Sequence, residues 1–232
     1  MKSRKNTLKI ITFSLGQLQA NCYFLVQEGE CIIIDPADDA PFILEELQRR
    51  RLKLVGMLAT HGHFDHIMAA GEIQKSFNVP LYIFKEDLFL VKRINETAEY
   101  FLGFNPHSLQ PTHIKYLKPG KLEIRNPPAG EAGWKLEILF TTGHTPGSCC
   151  YYFEMEKVIF TGDTLFKGAI GRYDFSYSSK VDLNNSLMRL LKLPGEVMVY
   201  PGHGERTTIR KEKFIIPNLF RNLNLDPEVN SG

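Results

Sequence analysis

The chain has 232 residues, 43% of them hydrophobic, with 28 Lys and Arg against 26 Asp and Glu, a formal net charge of +2. That length supports one large domain over residues 1–232 with a substantial core. Near-neutral charge without a basic stripe argues against a nucleic-acid partner, and no apolar run reaches the length of a membrane helix. A small molecule is the expected partner, and the oligomeric state is left open.

Lys2, Arg4, Lys5 and Lys9 lead into the short apolar stretch Ile10 to Leu15. The stretch is too short and interrupted for a secretory signal, so it reads as a solvated tail entering a strand. Strands are expected over Leu8–Phe13, Asn21–Gln27 and Glu30–Ile34, with a hairpin turn from Gln27 to Glu30, before Asp35-Pro36 ends the run. Apolar spacing predicts a helix over Pro41–Arg50 with Phe42, Leu44 and Leu47 inward, a strand over Leu54–Ala59, and a helix over Ile67–Phe77. A strand over Leu81–Phe84, a helix over Glu86–Phe101 and loop text from Gly103 to Pro111 follow. Leu136–Thr141, Ser148–Phe153 and Lys157–Phe160 read as strands, then a helix over Val181–Leu191 and a strand over Val197–Tyr200. A last helix is expected over Phe214–Leu223, broken at Pro217. Adjoining strands among interleaved helices imply two mixed sheets flanked by helices.

Cys22, Cys31, Cys149 and Cys150 lie in strand-like text without a C-x-x-C spacing. Neighbours in a strand face opposite ways, so Cys149 and Cys150 are not expected to bridge each other. Buried reduced thiols, and with them a cytoplasmic location, are the expectation.

The densest chemistry is His61-Gly-His63-Phe-Asp65-His66, directly after the strand text ending at Thr60. Three imidazoles and a carboxylate in six residues point to a metal, because that donor mixture suits zinc or iron. A helix would split them between two faces, whereas a strand end running into irregular backbone lets all four converge. Thr142-Gly-His144-Thr-Pro-Gly147, Thr161-Gly-Asp163-Thr164 and Tyr200-Pro-Gly-His203-Gly204 place three further donors at strand ends, beside Gly or Pro that lets the chain turn. His107 and His113 lie in loop text without a partner motif and receive no role.

His61-x-His63-x-Asp65-His66 followed by His144, Asp163 and His203, together with Asn21-Cys-Tyr-Phe24 and Ile34-Asp-Pro36, resembles the metallo-β-lactamase superfamily of hydrolases over nearly the whole chain. The resemblance implies an α/β fold, a four-layer αβ/βα sandwich of mixed sheets with a two-metal site at the sheet edge. It assigns His61, His63 and His144 to one divalent ion, and Asp65, His66 and His203 to the second, with Asp163 bridging them. Zinc is the first expectation, although iron or manganese suits the same donors.

Thr161-Gly-Asp163-Thr-Leu-Phe166, Gly171-Arg172, and Leu193-Pro194 with Tyr200-Pro-Gly-His203 resemble the glyoxalase II branch, the hydroxyacylglutathione hydrolases, in their short bacterial forms. Only 29 residues follow His203, so the C-terminal helical domain of full-length glyoxalase II is expected to be absent. Where that family places Lys, an aromatic and Tyr against glutathione, this chain has Arg172-Tyr173-Asp174. The charge is kept and the final Tyr is lost. Arg172, Tyr173 and Lys167 are the expected substrate contacts, a guanidinium forming a fork to carboxylate.

The implied reaction is attack of a metal-bound hydroxide on a thioester carbonyl, with Asp65 as ligand and catalytic group orienting it. Thiolate leaves readily enough that no strong general acid is required. S-lactoylglutathione or a related glutathione thioester is the expected substrate. The alternative is a persulfide dioxygenase of the same superfamily, with one iron on His61, His144 and Asp163; that branch tends to end its last motif with Ala-His rather than Gly202-His203. A non-catalytic metal-binding domain, a nuclease and a secreted lactamase rank below both.

Overall fold

The computed structural model describes residues 8–124 and 133–222, with the backbone alone over 217–222. Strands β1 (Lys9–Leu15), β2 (Ala20–Gln27) and β3 (Glu30–Ile34) form an antiparallel meander. Between β2 and β3, Glu28 and Gly29 both take positive φ (49° and 81°), the turn whose twist matches that of paired strands. Strands β4 (Lys53–Leu58), β5 (Leu81–Ile83) and β6 (Ile114–Tyr116) extend this sheet in parallel, in the order β1-β2-β3-β4-β5-β6.

Parallel neighbours need crossovers, and helices supply them. Helix α1 (Ala40–Arg49) joins β3 to β4; α2 (Phe64–Ile67) and α3 (Ala70–Ser76) join β4 to β5; α4 (Leu88–Lys92) and α5 (Ile94–Leu102) join β5 to β6. Four strands, β7 (Gly120–Ile124), β8 (Trp134–Phe140), β9 (Cys149–Phe153) and β10 (Val158–Gly162), lie antiparallel in the second sheet. A hairpin, β11 (Leu165–Phe166) and β12 (Ala169–Ile170), and helix α6 (Lys180–Leu190) lead to β13 (Met198–Pro201), which pairs parallel to β10. Strand β14 (Thr207–Thr208) closes the order β14-β13-β10-β9-β8-β7, before helix α7 (Ile209–Asn222).

Alternation along the strands divides the apolar side chains between layers. On β2, Cys22 and Phe24 face the helices while Tyr23 and Leu25 face the second sheet. On β9, Cys149 faces the sheet interface and Cys150 the outer helices, as their adjacency in a strand requires. Three cores result: α1 to α5 on the first sheet, sheet on sheet, and α6 with α7 on the second. This is the four-layer αβ/βα sandwich. Its central layer includes Tyr23, Leu25, Ile32, Trp134, Tyr151 and Phe160, each buried, and each such side chain contributes roughly 1.5–3 kcal/mol of transfer free energy. All four cysteines are buried and unpaired.

Several elements depart from the sequence pattern. The inward face of α1 is Ile43 and Leu47, with Phe42 and Leu44 only partly buried, because the helix starts at Ala40 behind the Asp39 cap. The helix expected from Ile67 is two pieces, and the first begins at Phe64, so Asp65 and His66 are helical. The segment expected as one helix from Glu86 is a 3₁₀ turn, Lys85–Asp87, followed by α4 and α5, with Asp87 drawn inward by hydrogen bonds. Strands β6, β7, β11, β12 and β14 carry too short or too polar a pattern to read as strands. Helix α7 begins earlier than expected and continues through Pro217 to Asn222; Leu223 lies outside the described residues. Proline in a helix interior costs about 3 kcal/mol, and Ile209 and Ile216, both fully buried, anchor the preceding turns.

Candidate metal centre

Four strands from both sheets end at one edge of the sandwich, and each is followed by a donor: His61 and His63 after β4, His144 after β8, Asp163 after β10 and His203 after β13. Helix α2 adds Asp65 and His66. Their donor atoms form three groups, His61/His63/His144, His61/His66/Asp163 and Asp65/His66/His203, each with its atoms within 4.8 Å of one another. His63 Nδ1 lies 3.0 Å from both His61 Nε2 and His144 Nε2. On the other side, His203 Nε2 lies 3.2 Å from His66 Nε2 and 3.3 Å from Asp65 Oδ2.

Asp163 stands between the groups. Its Oδ1 is 3.4 Å from His66 Nε2, and its Oδ2 is 3.7 Å from both His144 Nε2 and His203 Nε2. Oδ1 is buried without a hydrogen-bond partner among the described residues. A buried carboxylate oxygen left unpaired is costly, and a cation among these donors removes that cost. The glycine of the last motif is needed for this approach, since a Cβ on Gly202 would lie 2.1 Å from Asp163 Oδ1.

All five imidazoles turn one nitrogen into the cluster and anchor the other outside it. With the inward nitrogen unprotonated, the outer N–H donates: His61 Nδ1 to Thr60 Oγ1 (3.1 Å), His63 Nε2 to Tyr177 Oη (2.8 Å), His66 Nδ1 to Asp35 Oδ2 (2.9 Å), His144 Nδ1 to the Arg172 carbonyl (2.8 Å) and His203 Nδ1 to the Leu18 carbonyl (3.0 Å). Such outer partners fix the tautomer and ring orientation that ligation requires. The donor set and its anchoring therefore fit divalent metal.

Electrostatics separate the two sides of the cluster. Burial, reinforced by neighbouring imidazoles, pulls His61 far down and His63 to about 3, so both rings are neutral. Burial acts downward on His66 and His203 too. There the carboxylates of Asp163 and Asp65 outweigh it and raise both, with Asp35 assisting at His66. Burial opposes ionisation of Asp163, yet His66, His61 and His144 hold its carboxyl well below the usual range.

Two buried aspartates support the site from behind. Asp35, at φ 50°, accepts from Thr60 N (2.7 Å) and Thr60 Oγ1 (2.8 Å) besides His66. Asp87 accepts from Gly62 N (2.8 Å), Gly147 N (2.6 Å) and Thr145 Oγ1 (2.7 Å), tying the loop of His61 and His63 to that of His144. A cavity of about 420 Å³ opens over Asp65 and Asp163, with Phe64, Phe101, Phe175 and Arg172 in its lining.

All seven expected ligands therefore come together, and Arg172 reaches the cavity lining. Lys167 and Tyr173 do not line it. Lys167 pairs with Glu205 at 2.5 Å beside a separate depression, and Tyr173 packs near Ile170 and Leu193 against the outer core. Sequence reasoning missed Asp35, Asp87, Phe175 and Tyr177. Only Asp35 carried a signal, as the polar residue at a strand end before Pro36.

Residues 15–203, from the end of β1 to the last site histidine, match the metallo-β-lactamase superfamily. The chain belongs to that superfamily. Among metallo-β-lactamase relatives, it is 34% identical over 198 residues to hydroxyacylglutathione hydrolase GloC of Haemophilus influenzae, covering 84% of this chain and 90% of that one. The crystal structure of BLEG-1 B3 metallo-β-lactamase superposes with a TM-score of 0.81 at 30% identity, over 91% of this chain and 99% of its own. That of TTHA1623 in a di-iron-bound form gives 0.78 at 32% identity, over 88% and 98%. No described helix is long and apolar enough to cross a membrane.

Proposed function

We propose that this metal-dependent hydrolase is a thioesterase of the hydroxyacylglutathione type, acting on S-lactoylglutathione or a related thioester. The observation that carries the reading is Asp163, one oxygen toward His66 and the other toward His144 and His203, between two groups of anchored donors. His61, His63 and His144 would hold one ion, and Asp65, His66 and His203 the other, with Asp163 shared. When bound, the metal pair supplies a water activated at neutral pH and a Lewis acid for the carbonyl.

Asp65 is 14% exposed and lines the cavity, so its carboxylate can accept from the attacking water and orient it. The anchored imidazoles keep their N–H groups outside the cluster, away from the reacting carbonyl. Water is the nucleophile in this reading, and all four cysteines lie in the cores, away from the cavity. Hydrolysis forms an acyl C–O bond and breaks C–S; the thiolate leaves and takes its proton from solvent. Its modest basicity makes a strong general acid unnecessary.

Similarity to the Haemophilus hydrolase supports the thioester class. Zinc is the first metal expected, and the di-iron form of TTHA1623 makes iron the main alternative. The test is metal analysis of the purified chain beside hydrolysis of a thioester panel and oxygen uptake with glutathione persulfide. Two metals per chain, thioester turnover and no oxygen uptake are expected, with Asp163→Ala losing metal and turnover together. One iron per chain with persulfide-dependent oxygen uptake would overturn it in favour of the dioxygenase.

A further inference from the structure

The cavity beside the donor cluster is walled by apolar side chains: Leu18, Phe64, Phe101, Phe166, Ile170 and Phe175. Three of these rings form a continuous surface. Phe101 stacks on Phe64 (centroids 5.9 Å, 23° between planes) and meets Phe175 edge-on at 6.4 Å. Phe175 in turn meets His63 at 5.3 Å and His144 at 5.8 Å, so the wall runs from the rim to two ligand imidazoles. Phe101 is 43% exposed, an aromatic face left toward water at the mouth of a site.

Charge recognition in the cavity is sparse. Arg172 is the one Lys or Arg among the described lining residues. Its guanidinium already makes a two-point contact with Asp174 (2.9 and 2.8 Å) and lies 4.5 Å over the Phe175 ring. Lys167, the other cation near the motif, is held by Glu205 away from the cavity. A substrate arm bearing several carboxylates finds few partners here, whereas a ring-sized apolar group finds a complete surface.

Resting on the thioesterase reading of the same site, and choosing there the related thioester over S-lactoylglutathione itself, we infer that the substrate carries a ring-sized apolar group, aryl or branched alkyl, on one arm of its thioester, seated against Phe64, Phe101 and Phe175. The group is recognised by desolvation of its faces and by edge-to-face contact with the rings. One methylene in an apolar pocket already discriminates by roughly 10- to 200-fold, so a whole ring is expected to give at least about tenfold.

The experiment uses the metal-loaded full chain and reads binding apart from turnover. By calorimetry, phenylacetate is expected to bind at least about tenfold more tightly than acetate, which offers the same carboxylate, and Phe101→Ala to bring that ratio below about threefold. Equal affinities for the two acids would overturn the inference, whatever the chain hydrolyses. For turnover, S-phenylacetyl-N-acetylcysteamine places the ring on the acyl arm and S-lactoyl-benzyl mercaptan on the thiol arm. One of them is expected to exceed S-lactoyl-N-acetylcysteamine at least tenfold in kcat/KM and so identify the arm. Lactoyl turnover equal to both would count against the inference and leave the thioesterase reading standing. Failure of every thioester with the phenylacetate preference intact would sink the thioesterase reading and leave the apolar wall.

Discussion

The carboxylate of Asp35 and the imidazole of His66 meet at 2.9 Å, with neither side chain more than 1% exposed. Asp35 Oδ2 accepts from His66 Nδ1 and from Thr60 Oγ1, which leaves His66 Nε2 free to face Asp163 and His203. In Asp35→Asn, one amide position becomes a donor. If it replaces Oδ2, His66 Nδ1 must accept, and the ring proton moves to the ligating nitrogen. Asn also tolerates the left-handed backbone at this position, so the fold is preserved. Metal affinity on the His66 side is expected to fall roughly 10- to 100-fold. Metal content measured after dialysis against graded chelator checks this, and retention equal to wild type would refute it.

Asp87 makes a different prediction, because it touches no ligand directly. Its carboxylate satisfies two backbone N–H groups and a hydroxyl from two loops. Asp87→Ala removes the acceptor from three buried donors, each costing on the order of 1–3 kcal/mol when left unpaired. Partial relaxation brings the expected loss to about 3 kcal/mol, read from urea unfolding of the metal-loaded protein. A change below roughly 0.5 kcal/mol would show that water or a loop shift replaces the carboxylate.

What the sequence made legible was the chemistry carried by spacing. His61 to His66 fall within six residues, and His144, Asp163 and His203 each sit beside Gly or Pro at a strand end, so local text picked out the seven residues that the fold brings together. Asp87 was not legible, because its partners Gly62 and Gly147 lie 25 and 60 residues away and its own neighbours read as helix. Two sheets flanked by helices followed from adjoining strands among interleaved helices, and the four layers from the family resemblance. Strand β6 did not, since three residues paired at a sheet edge carry no periodicity of their own. Lys167 shows the converse error: closeness in sequence to Asp163 did not bring its side chain to the cavity, because the β11–β12 hairpin turns it toward Glu205.

Tyr177 tests whether anchoring matters on the His63 side as well. Burial pushes its hydroxyl up to about 12, so it remains a neutral phenol that can accept from His63 Nε2. Tyr177→Phe keeps the ring against Phe175 (5.5 Å, stacked) and removes only the oxygen. The expected result is a loss of roughly tenfold in metal affinity, at the lower end for an outer partner, because His63 can turn to water. Chelator competition in wild type and variant measures it; indistinguishable curves would assign Tyr177 to packing alone.

Glu46 supplies the pH dependence, away from the metal centre. Its carboxylate accepts from Arg49 Nε and Nη2 (2.8 and 2.7 Å) on the same helix and from Nε of Arg50 (2.8 Å), the residue that caps it. Hydrogen bonds from Arg49, opposed by burial and joined by Arg50, lower the group from 4.5 to about 2. A carboxyl depressed in the folded state stabilises that state above its unfolded value, and the contribution is lost as pH falls through the folded value. The window therefore runs from about pH 4.5 down to about pH 2. Arg49 is 58% exposed, so solvent screening keeps the effect under about 1 kcal/mol. Wild type is expected to exceed Glu46→Gln in unfolding free energy at pH 6, and the gap to close as pH approaches 2. A gap that stays constant from pH 6 to pH 2 would mean that the carboxylate's charge contributes nothing through these arginines and that the glutamine differs only in its packing.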